Sequence, residues 1–360
     1  MIKLQKEKHF TSKKTTTNVF VAIVFVVFFL FVLANQANIQ FYANGFGKIW
    51  TQPLQVYYLD VGQANASLVI LPNKTAMLID TGSGESEEDF ISSVDYILSK
   101  NKISKIKYLV LSHSDEDHIG GTEALLDKYQ VDNIYRPKQL AKNEESEHDF
   151  NRVDTLVYER VTNAISSEPN CTVQFVKNHT IFIDDLTEIC FYAPDFDKYS
   201  QTNDYSPFVS ITYAEKTFLF TGDATTNRER ELLERLSDEN KTLKVDFLLV
   251  AHHGSNTSTS AEFLQAISPT YAFVSAQNKS YPHEEVLNRL KEAGVSKLFN
   301  TKTVGMIVVA VQENGNFYIK TLAYHFEIEF FSVAIFLLVC MFVELNSKKN
   351  QSKFSVLAKK

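Results

Sequence analysis

Tyr108-Leu-Val-Leu-Ser-His-Ser-Asp-Glu-Asp-His-Ile-Gly-Gly121 begins as a buried strand and ends in chemistry. His113, Asp115, Asp117 and His118 fall within six residues, at the point where the apolar run stops. Two glycines follow, and 122–129 then reads as a helix. Two imidazoles and two carboxylates at the mouth of a buried strand are costly to crowd together unless positive charge sits among them. A divalent cation such as zinc or manganese supplies that charge, because both side-chain types are good ligands for such ions. The plain alternative is a solvated acidic turn that happens to hold two histidines. The strand-loop-helix setting favours the metal.

Working outward, three more apolar runs end in polar groups. Ala76-Met-Leu-Ile-Asp80 stops at Asp80, and Phe218-Leu-Phe-Thr-Gly-Asp223 stops at Asp223. Val245-Asp-Phe-Leu-Leu-Val250 runs into Ala251-His-His-Gly-Ser255. Layered α/β folds bind ligands at strand ends, so the repetition is informative. Each run alone has another reading. Asp80 can cap a turn, Asp223 can cap the helix after it, and His252 and His253 can pack against a sheet. Together with 113–118 they point to one site.

The rest of the chain alternates strands and helices. Strands are expected at 54–61, 66–71 and 76–80, and Phe90, Ile91, Val94, Ile97 and Leu98 recur at helical spacing. Residues 138–168 read as a polar insertion with a helix near 153–165. Strands follow at 172–176, 180–183, 188–192, 208–213 and 217–221, then a helix at 226–236 and a strand at 245–250. Helix, strand and helix occupy 259–294, and two closing strands reach about 321. The fold class is α/β.

Both ends have a different character. Residues 19–34 are apolar, without charge, glycine or proline, and follow a lysine-rich tail; 330–343 are apolar and precede another. Residues 1–18 and 344–360 carry +4 each, which leaves −15 between them out of a total of −7. We expect a transmembrane helix at 19–38 and a second at 326–345, with 1–18 and 346–360 as basic tails. The competing reading of the first run is a cleaved signal peptide. Lysines at both ends put both termini in the cytoplasm and the acidic domain at 50–322 outside it, anchored in membrane lipid. An acidic domain does not suit tight binding to long nucleic acid. Three cysteines exclude a disulfide framework and a Cys-rich zinc site; Cys171 and Cys190 are read as either a pair or two separate thiols.

The 113–118 motif, followed by Ile-Gly-Gly, resembles the metal motif of the metallo-β-lactamase superfamily, whose general pattern is His-x-His-x-Asp-His. Asp115 at the second position resembles the ComEC-like branch, named for a DNA-uptake channel protein. Leu59-Asp-Val-Gly-Gln63, Leu78-Ile-Asp-Thr-Gly82, Asn203-Asp-Tyr-Ser206, Leu219-Phe-Thr-Gly-Asp223 and His252-His-Gly-Ser255 match that branch in order across 54–320. The resemblance implies a four-layer αβ/βα sandwich with two metal ions, zinc or manganese. His113 and Asp115 would hold one ion and Asp117 and His118 the other. Asp223 would bridge them, and His252 and His253 would supply one ligand each in an order left open. Asp80 would orient a ligand.

The resemblance further implies metal-dependent hydrolysis, with Asp117 beside the attacking water and His283 facing the substrate. Departures are Gly62-Gln-Ala-Asn65 where the branch has Gly-Gln-Gly-Asp, and Ser280-Tyr-Pro282 where it has Gly-His-Pro. Two spans cannot build a multi-span channel, so DNA uptake does not transfer with the fold. The expected function is an extracytoplasmic hydrolase of phosphoester or phosphodiester bonds, with nucleic acid or a cell-envelope phosphodiester as substrate. Phosphocholine on teichoic acid is one example of the latter. The alternative is a non-catalytic metal-binding interaction module.

Overall fold

The computed structural model describes Ile49 and residues 51–321. The chain divides into two compact units, Met1–Gln52 and Pro53–Lys360, and the described fold lies almost wholly in the second. The expected spans at 19–38 and 326–345, and both tails, lie outside the described residues. Among the described residues, no helix is long and apolar enough to cross a membrane.

The first part of the chain forms strands β1 (Leu54–Tyr58), β2 (Ser67–Ile70), β3 (Ala76–Ile79), β4 (Ile106–Val110), β5 (Val131–Arg136), β6 (Gln139–Ala141), β7 (Asn151–Val153) and β8 (Thr172–Phe175). The second part forms β9 (His179–Asp184), β10 (Thr187–Tyr192), β11 (Phe208–Tyr213), β12 (Lys216–Phe220), β13 (Phe247–Leu249), β14 (Tyr271–Val274), β15 (Lys297–Asn300), β16 (Ile307–Val311) and β17 (Phe317–Thr321). One sheet has the order β17-β16-β1-β2-β3-β4-β5-β8, and the other β15-β14-β13-β12-β11-β10-β9. β6 and β7 pair separately. β16 and β17 return to the first sheet, so Leu54 lies opposite Val311.

Alternation of apolar residues builds the sandwich. Leu54, Val56 and Tyr58 on β1 point inward with Phe218 and Phe220 on β12, Phe247 and Leu249 on β13, and Phe273 on β14. The residues between them, Leu219, Leu248, Ala272 and Val274, face the other way. There they meet α5 (Thr226–Asp238), α6 (Ala261–Ile267) and α7 (Glu284–Glu292) through Leu232, Phe263, Leu264, Val286 and Leu290. Each fully buried Phe or Leu contributes roughly 1.5–3 kcal/mol. On the outer side of the first sheet, α1 (Glu87–Asn101) buries Phe90, Val94, Ile97 and Leu98. Asn101 at its last turn accepts from Gln55 Nε2 on β1 (3.2 Å). Four layers result, as expected.

The polar insertion holds β6 and β7 and leads into α4 (Leu156–Ser167). Buried Arg136 anchors its base, donating to Glu144, to Gln139 O (2.6 Å) and to Tyr158 Oη (3.1 Å). The insertion reaches the loop after β10 through Lys138–Asp197 (2.8 Å), Lys198–Asp149 and Asn151 Nδ2 to Tyr199 O (2.7 Å). These links form a wall at the end of the sandwich where β3, β4, β12 and β13 terminate.

Candidate metal centre

Parallel pairing of β3 with β4, and of β12 with β13, brings four carboxyl-terminal strand ends to one end of the sandwich. Asp80 leaves β3, and His113 leaves β4. Asp117 and His118 lie on α2 (Glu116–Ile119), a single turn that starts after Asp115. α3 (Thr122–Lys128) follows. Gly121 permits the tight passage between α2 and α3. A Cβ there would lie 2.4 Å from Thr81 O and 2.9 Å from the Phe90 ring. That contact lets Thr81 N–H donate to His118 O (2.7 Å), which fastens the two strand ends together.

Hydrogen bonds fix the imidazole tautomers. Asp80 is buried and accepts from Ser112 N–H (2.8 Å), Ser112 Oγ–H (2.8 Å) and His118 Nδ1–H (2.7 Å). Ser112 Oγ gives its proton to Asp80, so it accepts from His113 Nδ1–H (3.0 Å). His253 Nδ1–H donates to Ser275 O (2.6 Å). As neutral imidazoles, all three rings therefore turn Nε2 inward as the lone-pair nitrogen. His113 Nε2 and His118 Nε2 are buried and have no hydrogen-bond partner.

What faces these nitrogens is carboxylate. His118 Nε2 lies 3.0 Å from Asp223 Oδ1, and His253 Nε2 lies 3.1 Å from Asp117 Oδ2. Asp223 Oδ2 is 3.7 Å from His252 Nε2 and 3.9 Å from His253 Nε2. The donor atoms of His113, His118 and Asp223 all lie within 4.8 Å of one another, and so do those of Asp117, His118 and His253. His118 is thus common to both groups. Asp115 stands at the edge, 45% exposed, with Oδ2 3.5 Å from His113 Nε2. His252 is also at the edge, its Nδ1 3.1 Å from Thr257 Oγ1. Lone pairs facing carboxylates at these distances call for a cation, so the residues fit a divalent metal pair.

Without a cation, the carboxylates draw positive charge in another form, a proton on the imidazoles. Burial raises the Asp223 carboxyl, but His118, His253 and His113 outweigh it and hold the group well below the usual range. Burial lowers His118, yet Asp223 and Asp80 push it well above the ordinary imidazole value. His253 moves up for the same reason, through Asp223 and Asp117. His252 moves down, because burial exceeds the pull of Asp223.

The turn carrying His252 and His253 is unusual in its backbone. Both take left-handed φ values, 53° and 55°, and Gly254 follows at 85°. A Cβ on Gly254 would meet the Pro282 Cβ at 2.3 Å. This kink presents both imidazoles to the site at once. It also binds His283, whose N–H donates to Gly254 O (2.9 Å). Thr225, rather than Asp223, caps α5 by accepting from Asn227 N–H (3.3 Å), which leaves the Asp223 carboxylate for the centre.

The sequence profile of the Metallo-beta-lactamase superfamily matches residues 59–277. The chain belongs to that superfamily. Among curated proteins, this metallo-beta-lactamase chain is 26% identical to ComE operon protein 3 of Bacillus subtilis over 260 residues, which is 68% of this chain and 31% of that protein. It is 27% identical to Recombination protein 2 of Haemophilus influenzae over 263 residues, 71% of this chain and 28% of that one. It is 28% identical to Competence protein ComA of Neisseria gonorrhoeae over 259 residues, 71% and 32%. These relatives support placement on the ComEC-like branch, and the chain spans under a third of their lengths.

Several contacts of the centre come from residues outside the expected ligand set. Ser112 and Ser206 both approach His113 Nδ1, at 3.0 and 3.5 Å. The Ser275 partner is a main-chain carbonyl, which any residue supplies. Asn65, singled out as a departure, is buried and places its Nδ2 3.5 Å from Asp223 Oδ1. Asn203 approaches both ring nitrogens of His252 at 3.4 Å. Cys171 and Cys190 are free thiols.

Proposed function

We propose that the chain is a membrane-anchored, extracytoplasmic hydrolase of phosphoester bonds, most suited to phosphodiesters, that works with two divalent metal ions. The observation that carries the reading is the pair of buried, partnerless Nε2 atoms of His113 and His118 aimed at carboxylates. His118, His253 and Asp117 would hold one ion, and His113, His252 and Asp115 the other, with Asp223 between them. The geometry supports this pairing because Asp117 lies against His253. When bound, such ions lower the pKa of water and neutralise charge that develops on a phosphoryl group.

The chain's own residues do the rest. Asp80 and Ser275 O hold the His118 and His253 rings through Nδ1, which aims Nε2 at the ion position. Asp117, a third exposed, is open to the cleft and serves to accept a proton from the attacking water. His283 Nδ1 accepts from Asn256 N–H (3.3 Å), which leaves its proton on Nε2. Its ring is stacked on Tyr281 with centroids 4.9 Å apart. His283 thus offers a neutral N–H to a phosphoryl oxygen, which suits binding more than proton donation. Relatives named as a competence protein and a recombination protein support nucleic acid as one substrate class, and an envelope phosphodiester is the other.

Metal analysis of the full chain in detergent, with hydrolysis of bis(p-nitrophenyl) phosphate, tests this function. Two equivalents of metal and turnover that Asp117→Ala lowers at least about 100-fold are expected. Bound metal without turnover, and Asp117→Ala changing only stability, would favour the non-catalytic module instead.

A further inference from the structure

We propose that the metal-bearing end of the sandwich rests against the outer face of the lipid bilayer, so that the site takes phosphodiester groups displayed at that surface. The inference rests on the membrane-anchored reading and adds an orientation to it.

Strand polarity carries the first part of the argument. β17 is antiparallel to β16, β16 to β1, β1 to β2, and β2 to β3. Four reversals make β17 point the same way as β3, so Thr321 lies at the end where Asp80 and the metal residues gather. Leu54, where β1 begins, lies at the opposite end. The tethers beyond these points differ in length. Four residues, 322–325, separate Thr321 from the expected span at 326–345, while fifteen, 39–53, separate the expected span at 19–38 from β1. At full extension these reach about 14 Å and about 50 Å. A five-residue strand alone is about 17 Å long, before the loops at either end are added. The short tether therefore keeps the metal-bearing end at the bilayer, and the long one suffices to come round from the far end.

Exposed apolar side chains make a second, independent argument. Leu156, at the start of α4, is 80% exposed, and Phe196, in the loop after β10, is 62% exposed. Both belong to loops at the metal-bearing end. Phe196 is braced rather than loose: it meets Tyr199 edge-on at 5.7 Å, Tyr199 meets Tyr205 at 5.2 Å, and the Tyr199 hydroxyl donates to Glu231 (2.9 Å). β8 and β17 are the outermost strands of the eight-stranded sheet, roughly 34 Å apart at about 4.8 Å per strand. An apolar rim at one edge and a membrane tether at the other define a whole face, which then lies flat on the interface. Asp154 beside Leu156, and Asp195 and Asp197 on either side of Phe196, are paired with Lys142, Arg235 and Lys138. At the far end, by contrast, Asp184 and Asp185 flank the exposed Leu186, and Glu215 and Glu313 sit on neighbouring turns, without an ion pair among the described residues. Hydrated carboxylates keep that end from lipid. Phe182, the other strongly exposed apolar residue, sits midway along edge strand β9 and belongs to neither end.

The test uses the full chain reconstituted in phospholipid vesicles, with Cys171, Cys190 and Cys340 changed to Ser. Single cysteines are introduced by Phe196→Cys and Leu156→Cys at one end, and by Asn314→Cys and Glu313→Cys at the other. Each is labelled with a fluorophore, and the vesicles carry a headgroup-linked quencher. Quenching at least threefold stronger for the first pair than for the second is expected. Equal quenching, or the reverse order, in a chain that resists alkaline extraction overturns the orientation and leaves the anchored reading intact. A chain stripped from the vesicles by alkaline carbonate overturns both.

Discussion

The two sides of the metal centre draw on the same two segments, yet they are built differently. His118 and His253 are buried, and each ring is held through Nδ1, by a carboxylate at 2.7 Å and by a main-chain carbonyl at 2.6 Å. Asp115, three residues from His118, and His252, next to His253, are partly exposed, with their nearest cluster contacts at 3.5 and 3.7 Å. The residue types match; the support behind them does not. A ring held through Nδ1 by a carboxylate or a carbonyl is aimed before the ion arrives, whereas Asp115, and His252 with only the Thr257 hydroxyl behind it, must lose more side-chain freedom on binding. The comparison teaches that the inner side should bind its ion more tightly than the outer side.

The largest effect belongs to the residue between the two sides. Asp223→Ala is expected to remove both metal equivalents and to lower phosphodiester hydrolysis by about 1,000-fold. In EDTA it should also cost about 3–5 kcal/mol, because His118 loses its buried partner. The Asp223 carboxyl is depressed, so its contribution to the metal-free fold is present above about pH 4 and fades as pH falls through the lower folded value. His118 is raised, so its contribution is complete below about pH 6.5 and fades as pH rises through the higher folded value. Urea midpoints of wild type and variant should therefore differ most between those limits.

His252→Ala and His253→Ala break or confirm the comparison directly. After dialysis, His252→Ala should keep about one metal equivalent and His253→Ala should lose the tighter one. Equal losses would show that the two sides are alike. Asp80→Asn probes the support itself, and a 10–100-fold weaker metal affinity at the inner side is expected from competitive chelation. The smallest change is Gly254→Ala, where positive φ and the clash with Pro282 should cost about 1–3 kcal/mol, read as a lower Tm.

Much of this was legible in advance because strand ends announce themselves. Asp80, His113, Asp223 and the 252–253 pair each follow an apolar run, and a buried run that stops at a charge is visible without a structure. β5 was passed over, because Val131-Asp-Asn-Ile-Tyr-Arg136 interrupts its apolar residues with Asp and Asn that lie at the half-buried positions. β15 was missed for a similar reason, being four residues long with a lysine at its start. Within the insertion, β6 and β7 are three residues each, too short for any periodicity to show. At the centre, the identity of most cluster residues was readable but their support was not. Serine hydroxyls and a main-chain carbonyl carry no distinguishing pattern. The sharing of His118 between two donor groups depends on ring orientation, which spacing does not encode.

The return of the last two strands to the first sheet has a consequence for biogenesis. Leu54 pairs with Val311, so β1 stays an open edge until nearly the whole domain has been synthesised. Such distant pairing is slow to form and leaves a sticky strand waiting. The second sheet, by contrast, is complete once β15 emerges, because its seven strands follow one another without a break in the sequence. A nascent chain can therefore fold that sheet first and close the other onto it last, and an arrest between 300 and 307 should yield a half-built sandwich that aggregates through β1.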